Sequence, residues 1–420
     1  MMGDFLGRGL APSAVGLCLL AAVACSSASP GGADGGHEGG AGDGGVMYTD
    51  DDVTVVDQTP ALVRDVMVFG GSLRESDDIP LDYGADKLSV LVYAEGDDGR
   101  PPAATNIVLT LKDPNGAAVL APGNSLDDYT RSGAPLRPSV DTGAASLLLP
   151  QSTNAPALPH GTYNLRVAAD GAVRVHVVTR RGAGAPPPGK MDINLFILDG
   201  CGVTKTDPIV DQALDEMWKI FANADVLPGT VDRIDITGAE AAQFLTPSAA
   251  GEGKAAALRQ LTALASRATN QRAANAFLVK AFTNTPGLFG ISLGLPAALV
   301  VKNSTNAGTV TAIDTHRRMD TSINVPELGN TLAHEILHSM GLAHSTEESI
   351  APNPAFFHDL FADTPDCPAT ADTNMDGKLT QAECMAFDGA NLMFWSGEGN
   401  VAISPGQKEI VLRSPIVRRR

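Results

Sequence analysis

The chain has 420 residues, 44% of them hydrophobic and 19% charged, which supplies apolar material for two packed domains and excludes wholesale disorder. Its formal charge of −18 offers no basic face to a phosphate backbone, so nucleic acid is excluded as a partner. The acid surplus suits calcium, which takes oxygen ligands, while the terminal Arg418-Arg419-Arg420 reads as a solvated tail.

Residues 1–24 read as a signal peptide. Arg8 supplies a small positive start, and the apolar stretch from Ala11 to Ala24 is too short to span a bilayer. It closes on Leu20-Ala-Ala-Val-Ala-Cys25, which resembles the lipobox of bacterial lipoproteins, with Ala22 where that family prefers Leu. The resemblance implies a lipid on Cys25 and export. Ser26 and Ser27 follow rather than Asp, which leans towards anchoring in the outer membrane; secretion with an unmodified Cys25 is the alternative. Residues 25–58, a Gly, Ser, Ala and Asp mixture, hold too little apolar surface to order themselves and read as a flexible tether, with His37 solvated.

From residue 59 to 182 the pattern is short β-rich runs. Leu88-Ser-Val-Leu-Val-Tyr93, Ile107-Val-Leu-Thr-Leu111, Tyr163-Asn-Leu-Arg-Val167 and Val173-Arg-Val-His-Val-Val178 are predicted strands, and Asp113-Pro-Asn-Gly116 is a turn. Several alternate in period two, which predicts antiparallel sheets with one wet face in an all-β sandwich. The layout is similar to accessory domains beside secreted bacterial peptidases. His160 and His176 are isolated and are not expected to be ligands. Residues 183–190, with three prolines, form a linker.

Residues 191–420 alternate strand and helix. Ile193–Leu198, Val231–Ile236 and Ala276–Phe282 are predicted strands, with helical spacing at Leu214, Met217, Trp218 and Phe221, and again at Leu258, Leu261 and Leu264. The order predicts an α/β (α+β) domain whose sheet is at least partly parallel.

The chemistry sits at Thr331-Leu-Ala-His-Glu-Ile-Leu-His-Ser-Met-Gly-Leu-Ala-His-Ser345. On a helix, His334 and His338 project from one face a turn apart, which suits two ligands of a tetrahedral zinc. Glu335 directly after the first ligand can reach a water without becoming a ligand itself. Gly341 can take positive φ, end the helix and return the chain so that His344 reaches the same ion. Three imidazoles leave a fourth position open, as catalytic zinc requires. Two histidines and a glutamate alone could be an inert helix face; the added glycine and third histidine make that reading poor. His316 and His358 flank the motif without ligand spacing, which suits surface or core roles.

His334-Glu-Ile-Leu-His-Ser-Met-Gly-Leu-Ala-His344 resembles the HExxHxxGxxH signature of the metzincin zinc metallopeptidases, and Ser345 after the third histidine is similar to the matrixin branch. Asn391-Leu-Met-Phe-Trp395 is similar to that family's Met-turn, with Met393 as the apolar floor beneath the metal. The resemblance covers residues 190–420. It implies a mixed sheet over an active-site helix, with an edge strand, expected near Gly290–Pro296, that binds extended polypeptide. The separation of 49 residues (393 − 344) between His344 and Met393 is longer than the matrixin pattern, so the branch stays open.

That insert, residues 363–385, carries an EF-hand-like loop. Asp372, Asn374, Asp376, Lys378 (through its carbonyl), Thr380 and Glu383 occupy the calcium-ligand positions, with Gly377 at the turn. Asp363-Thr-Pro-Asp-Cys-Pro368 is no incoming helix, so a lone structural calcium loop is expected. Cys367 and Cys384 bracket it and would staple it in an oxidising compartment; Cys201 is left over, and a buried, inert thiol is expected there. Ser404-Pro-Gly-Gln407 opens a closing helix that runs to Arg413.

These features predict a monomeric zinc-dependent endopeptidase with Glu335 as general base, acting on polypeptides and touching membrane only through its lipid. Two alternatives remain: a surface-anchored, calcium-dependent binding or adhesion protein with a vestigial metal domain, and a zinc hydrolase of non-peptide amides.

Overall fold

The computed structural model describes residues 45–97, 106–122, 136, 138–141, 143–152, 157–249, 254–285, 287–301, 304, 307–350, 359–396 and 399–420. The signal peptide, Cys18, Cys25, the tether up to residue 44, His37 and His358 lie outside the described residues.

Strands come first: β1 (Gly45–Asp50), β2 (Val53–Gln58), β3 (Leu62–Val68), β4 (Gly71–Ser76), β5 (Ile79–Tyr83), β6 (Lys87–Gly96), β7 (Ile107–Lys112), β8 (Ala118–Leu120), β9 (Ser139–Asp141), β10 (Ala144–Leu149), β11 (Gly161–Ala169) and β12 (Val173–Arg181). They make two antiparallel sheets, ordered β1-β2-β12-β6-β10-β9 and β3-β4-β11-β7-β8, with β5 beside β11. The expected tether is therefore too long. Val53-Thr-Val-Val56 is β-branched and alternating, and it pairs with β12 despite the acidic residues around it, burying Val53 and Val55.

The two sheets share one hydrophobic cluster, to which β6 contributes Val90 and Val92, β10 contributes Leu147 and Leu149, β7 Leu109 and β11 Leu165. The second sheet has the expected wet face: β5 alternates buried and exposed residues throughout. The first sheet does not. Its intervening residues Leu91, Tyr93, Leu148 and Val178 enter the core of the rest of the chain, so both of its faces are covered.

Next come β13 (Gly189–Leu198), α1 (Pro208–Asn223), β14 (Val226–Ile236), α2 (Gly238–Phe244), α3 (Lys254–Thr262), β15 (Ala273–Val279), β16 (Gly290–Ser292), β17 (Thr309–Ala312), α4 (Val325–Ser339), α5 (Gln381–Cys384), α6 (Pro405–Arg413) and β18 (Val417–Arg419). The third sheet runs β14-β13-β15-β17-β16, with β18 beside β13. β14, β13, β15 and β17 are parallel; β16 and β18 are antiparallel to their neighbours. The sheet is mixed, and β16 is an edge strand inside the segment expected to be one.

Two sequence expectations shift at β13. It starts at Gly189, inside the expected 183–190 linker, because Gly189 and Lys190 pair with Arg419 and Arg418. For the same reason the basic C-terminus is no solvated tail: Arg418 meets Asp192 at 2.8 Å. The helices form for local reasons. Asp207 caps α1 by accepting the Ile209 N–H at 3.0 Å, and the buried stripe Val210, Leu214, Met217 and Phe221 faces the core. α6 starts with a reciprocal capping box between Ser404 and Gln407.

Candidate metal centre

α4 begins with Pro326 in its first turn and is buried from Leu328 to Ser339. Its end delivers the site. Gly341 takes φ +105°, the Gly341 N–H bonds to the His338 carbonyl at 2.9 Å, and the Leu342 N–H to the Leu337 carbonyl at 3.1 Å. This pair of bonds is a Schellman stop, which reverses the chain and sends residues 342–344 back past the helix.

The three histidines meet as a result. His344 Nε2 lies 3.2 Å from His334 Nε2 and 3.1 Å from His338 Nε2. Among the described residues these imidazoles form a cluster able to hold a metal ion. Their other nitrogens show which tautomer is present. His334 Nδ1 lies 2.7 Å from the Leu392 carbonyl, His338 Nδ1 2.6 Å from the Leu342 carbonyl, and His344 Nδ1 2.7 Å from Glu347 Oε1. A carbonyl or carboxylate can only accept, so each Nδ1 carries the proton and each Nε2 is a bare lone pair. The His344 lone pair, 3.2 Å from that of His334 and 3.1 Å from that of His338, repels both unless a cation lies between them. Ligand bonds of about 2.0–2.1 Å in a tetrahedron put donor nitrogens roughly 3.3–3.4 Å apart. The donor set therefore fits a zinc-sized ion.

Electrostatics agree. Burial lowers the pKa of His334 to about 3 and that of His338 well below its usual value, so both rings are neutral ligands at pH 7. Burial raises Glu335 to about 8. A cation among the rings acts against that push and favours the carboxylate. Glu335 Oε2 is buried without a hydrogen-bond partner, an arrangement that costs free energy in a resting core and suits a group that waits for a proton. The β16 backbone passes directly over it. A Cβ on Gly290 would stand 2.6 Å from Glu335 Cγ and 2.7 Å from Oε1, so only glycine fits there.

Met393 is fully buried in the core that also holds α4, and its carbonyl accepts the Ser345 N–H at 2.9 Å. Asn391 Oδ1 accepts the Met393 N–H at 2.8 Å, which fixes the turn whose Leu392 carbonyl holds His334. His316 is in the core, between the Ala312 carbonyl at 2.6 Å and Thr331 Oγ1 at 2.9 Å. His160 lies just ahead of β11, its Nδ1 3.3 Å from the Tyr83 carbonyl, and His176 lies in β12 between Asp57 and Glu95 at 3.3 Å each.

The insert places its residues around their own backbone. Asp372 Oδ2 accepts the Gly377 N–H at 3.0 Å, Asn374 Oδ1 the Asp376 N–H at 2.9 Å, and Asp376 Oδ1 the Lys378 N–H at 2.9 Å. Glu383 Oε1 accepts from the Thr373 N–H at 2.9 Å and Oε2 from the Thr380 N–H at 3.0 Å. Their carboxylates are not gathered as the imidazoles are. Lys378 Nζ pairs with Glu348. Cys367 and Cys384 form a disulfide, and Cys201 is a buried free thiol.

Sequence reasoning missed Glu347, the Leu342 and Leu392 carbonyls, and the contact of Gly290, expected only as edge strand, with Glu335. Only Glu347 left a signal, an acid three residues past the third histidine. No family model and no curated protein matches the chain. Among solved structures it is similar to archaemetzincin (amzA) from Methanopyrus kandleri, at 14% identity over 55% of this chain and 90% of that one, with a TM-score of 0.28. It is similar to metalloproteinase-II from Bacteroides fragilis at 13% identity, 45% and 60% coverage, and a TM-score of 0.27. For myroilysin the figures are 12%, 54% and 92%, and 0.24.

Proposed function

We propose that this chain is an exported zinc-dependent endopeptidase, with His334, His338 and His344 holding the metal. The observation that carries the reading is the convergence of three Nε2 lone pairs, each ring locked by an acceptor at Nδ1, beside a buried carboxylate with a free oxygen. Zinc held there would acidify water and polarise a scissile carbonyl. Glu335 takes a proton from the attacking water and hands it to the leaving amine. Its burial excludes bulk water, and the missing side chain at Gly290 lets the β16 backbone pass close to the carboxylate. The edge strand β16, paired with β17 alone among the described residues, would add an extended polypeptide along its other side, beside that carboxylate. Met393 serves as the apolar floor of a metzincin-type site. Export through residues 1–24, a lipid on Cys25, outer-membrane anchoring, a monomeric state and a structural calcium in loop 372–383 belong to the same reading.

One experiment tests the core of it. Protein dialysed with both metals should carry about one zinc and one calcium per chain by elemental analysis and should cleave a random peptide library. Glu335→Gln should keep both metals and lose turnover by several orders of magnitude. Cleavage unaffected by that change would overturn the assignment, and absence of calcium would remove the loop from it. A metal-loaded protein that cleaves only non-peptide amides would favour the alternative hydrolase.

A further inference from the structure

The first sheet reaches into the metal centre. Along β10, Ala145, Leu147 and Leu149 point into the cluster shared by the first two sheets, while Ala144 and Leu148 enter the core that contains α4. Leu148 lies against the helix stop: a Cβ on Gly341 would be 3.1 Å from Leu148 Cδ2 and 3.7 Å from Pro296 Cβ. Two residues away, Ser146 Oγ donates to the Pro296 carbonyl at 2.8 Å in a buried bond. The segment around Pro296 is in turn tied to the last turn of α4. The Ala297 N–H donates to the Ser339 carbonyl at 3.1 Å, and Ser292 Oγ lies 3.0 Å from Ser339 Oγ.

We propose that Ser146 and Leu148 are positioning residues of the metal centre, acting through the Gly341 turn. The path is short. Leu148 bears on Gly341, whose left-handed backbone orients Leu342; the Leu342 carbonyl holds His338 Nδ1 at 2.6 Å, and two residues later the chain presents His344. Ser146 holds Pro296 against the same turn. Backbone with positive φ keeps that conformation only while its surroundings enforce it. Close packing by Leu148 is one such enforcement, and removing it leaves a void into which the turn relaxes. Sheet one is thereby part of the scaffold that sets ligand geometry rather than a separable appendage.

The inference rests on the histidine triad being a metal site, and the test separates the two. Co²⁺ replaces zinc as a probe, and its visible absorption and its affinity, by competition with a chelator, are measured on the full-length protein. Leu148→Ala should weaken Co²⁺ binding about tenfold and alter the absorption bands, in line with the effect of groups that orient ligands. Ser146→Ala, a milder change, should weaken it about threefold. Leu147→Ala removes the same volume from the same strand on its opposite face, and should leave affinity within about twofold. Wild-type affinity in both Leu148→Ala and Ser146→Ala, or an equal loss in Leu147→Ala, would overturn the proposal and leave the metal site standing. Should Leu148→Ala fail to fold, Ser146→Ala decides alone. A wild-type protein that takes up no Co²⁺ sinks the metal reading and this inference with it.

Discussion

Each imidazole of the triad has its outward nitrogen tied down, but the acceptors differ: His334 and His338 meet backbone carbonyls, whereas His344 meets the Glu347 carboxylate. A carboxylate makes the ring a stronger donor and holds its orientation. His344 also needs such a restraint most, because it stands on a turn, not on the helix. Glu347→Ala should weaken metal binding by about 10–100-fold, with Glu347→Gln between the two, measured by chelator competition. Unchanged affinity in the alanine variant would remove Glu347 from the site. The triad itself was legible in sequence because helix periodicity and a Schellman glycine are local rules. The holders of its rings were not. A carbonyl acceptor has no residue-type signature, and Leu392 stands 58 residues from the histidine it orients.

α4 is fixed to the sheet by His316, which follows β17 and reaches Thr331 in the helix. The Ala312 carbonyl can only accept, so Nδ1 is protonated and Nε2 accepts from the Thr331 hydroxyl. Burial lowers the His316 pKa to about 4 from an ordinary 6.5, with the Ala312 carbonyl pulling weakly the other way. Between those values the unfolded chain binds the proton and the folded one does not. This contribution to stability is therefore complete above pH 6.5 and is lost as pH falls towards 4. His316→Gln should be less stable than wild type at pH 7. Its loss between pH 6.5 and 4.5, followed by urea denaturation, should be smaller by about 2 kcal/mol. Parallel pH profiles would show that another group controls acid unfolding. The elements themselves followed their patterns, with β13, β14, α1 and α6 each found where apolar periodicity or capping put them. Two signals misled. Around β2 the acidic composition masked a short β-branched run, and the first sheet was expected to keep one wet face because a single strand such as β6 cannot announce that both of its faces will be covered.

The described residues form one compact unit, and its first and third sheets are joined by charge as well as by packing. Asp52, in the turn between β1 and β2, is buried and meets Arg180 Nε at 3.1 Å and Arg272 Nη2 at 2.6 Å. Arg180 comes from β12, and Arg272 directly precedes β15 of the third sheet. Both guanidiniums continue to the C-terminal segment: Arg180 to the Leu412 and Ser414 carbonyls, and Arg272 to Pro415 at 2.7 Å. Burial alone would raise the Asp52 pKa, but Arg272 and Arg180 outweigh it and leave it lowered, so the carboxylate is charged at neutral pH. Removing one partner of a buried network strands the others, which costs more than the network itself contributes. Asp52→Ala should therefore cost about 3–5 kcal/mol in urea denaturation at pH 7, because two buried cations lose their counter-charge. Because the hydrophobic core runs unbroken from Val53 and Leu148 to α4, the wild type should unfold in a single transition seen alike by tryptophan fluorescence (both tryptophans, Trp218 and Trp395, lie beyond β13) and by far-ultraviolet circular dichroism. Two separated transitions would mean that the first sheets and the third part company before either melts, and that Asp52 decorates their contact instead of holding it.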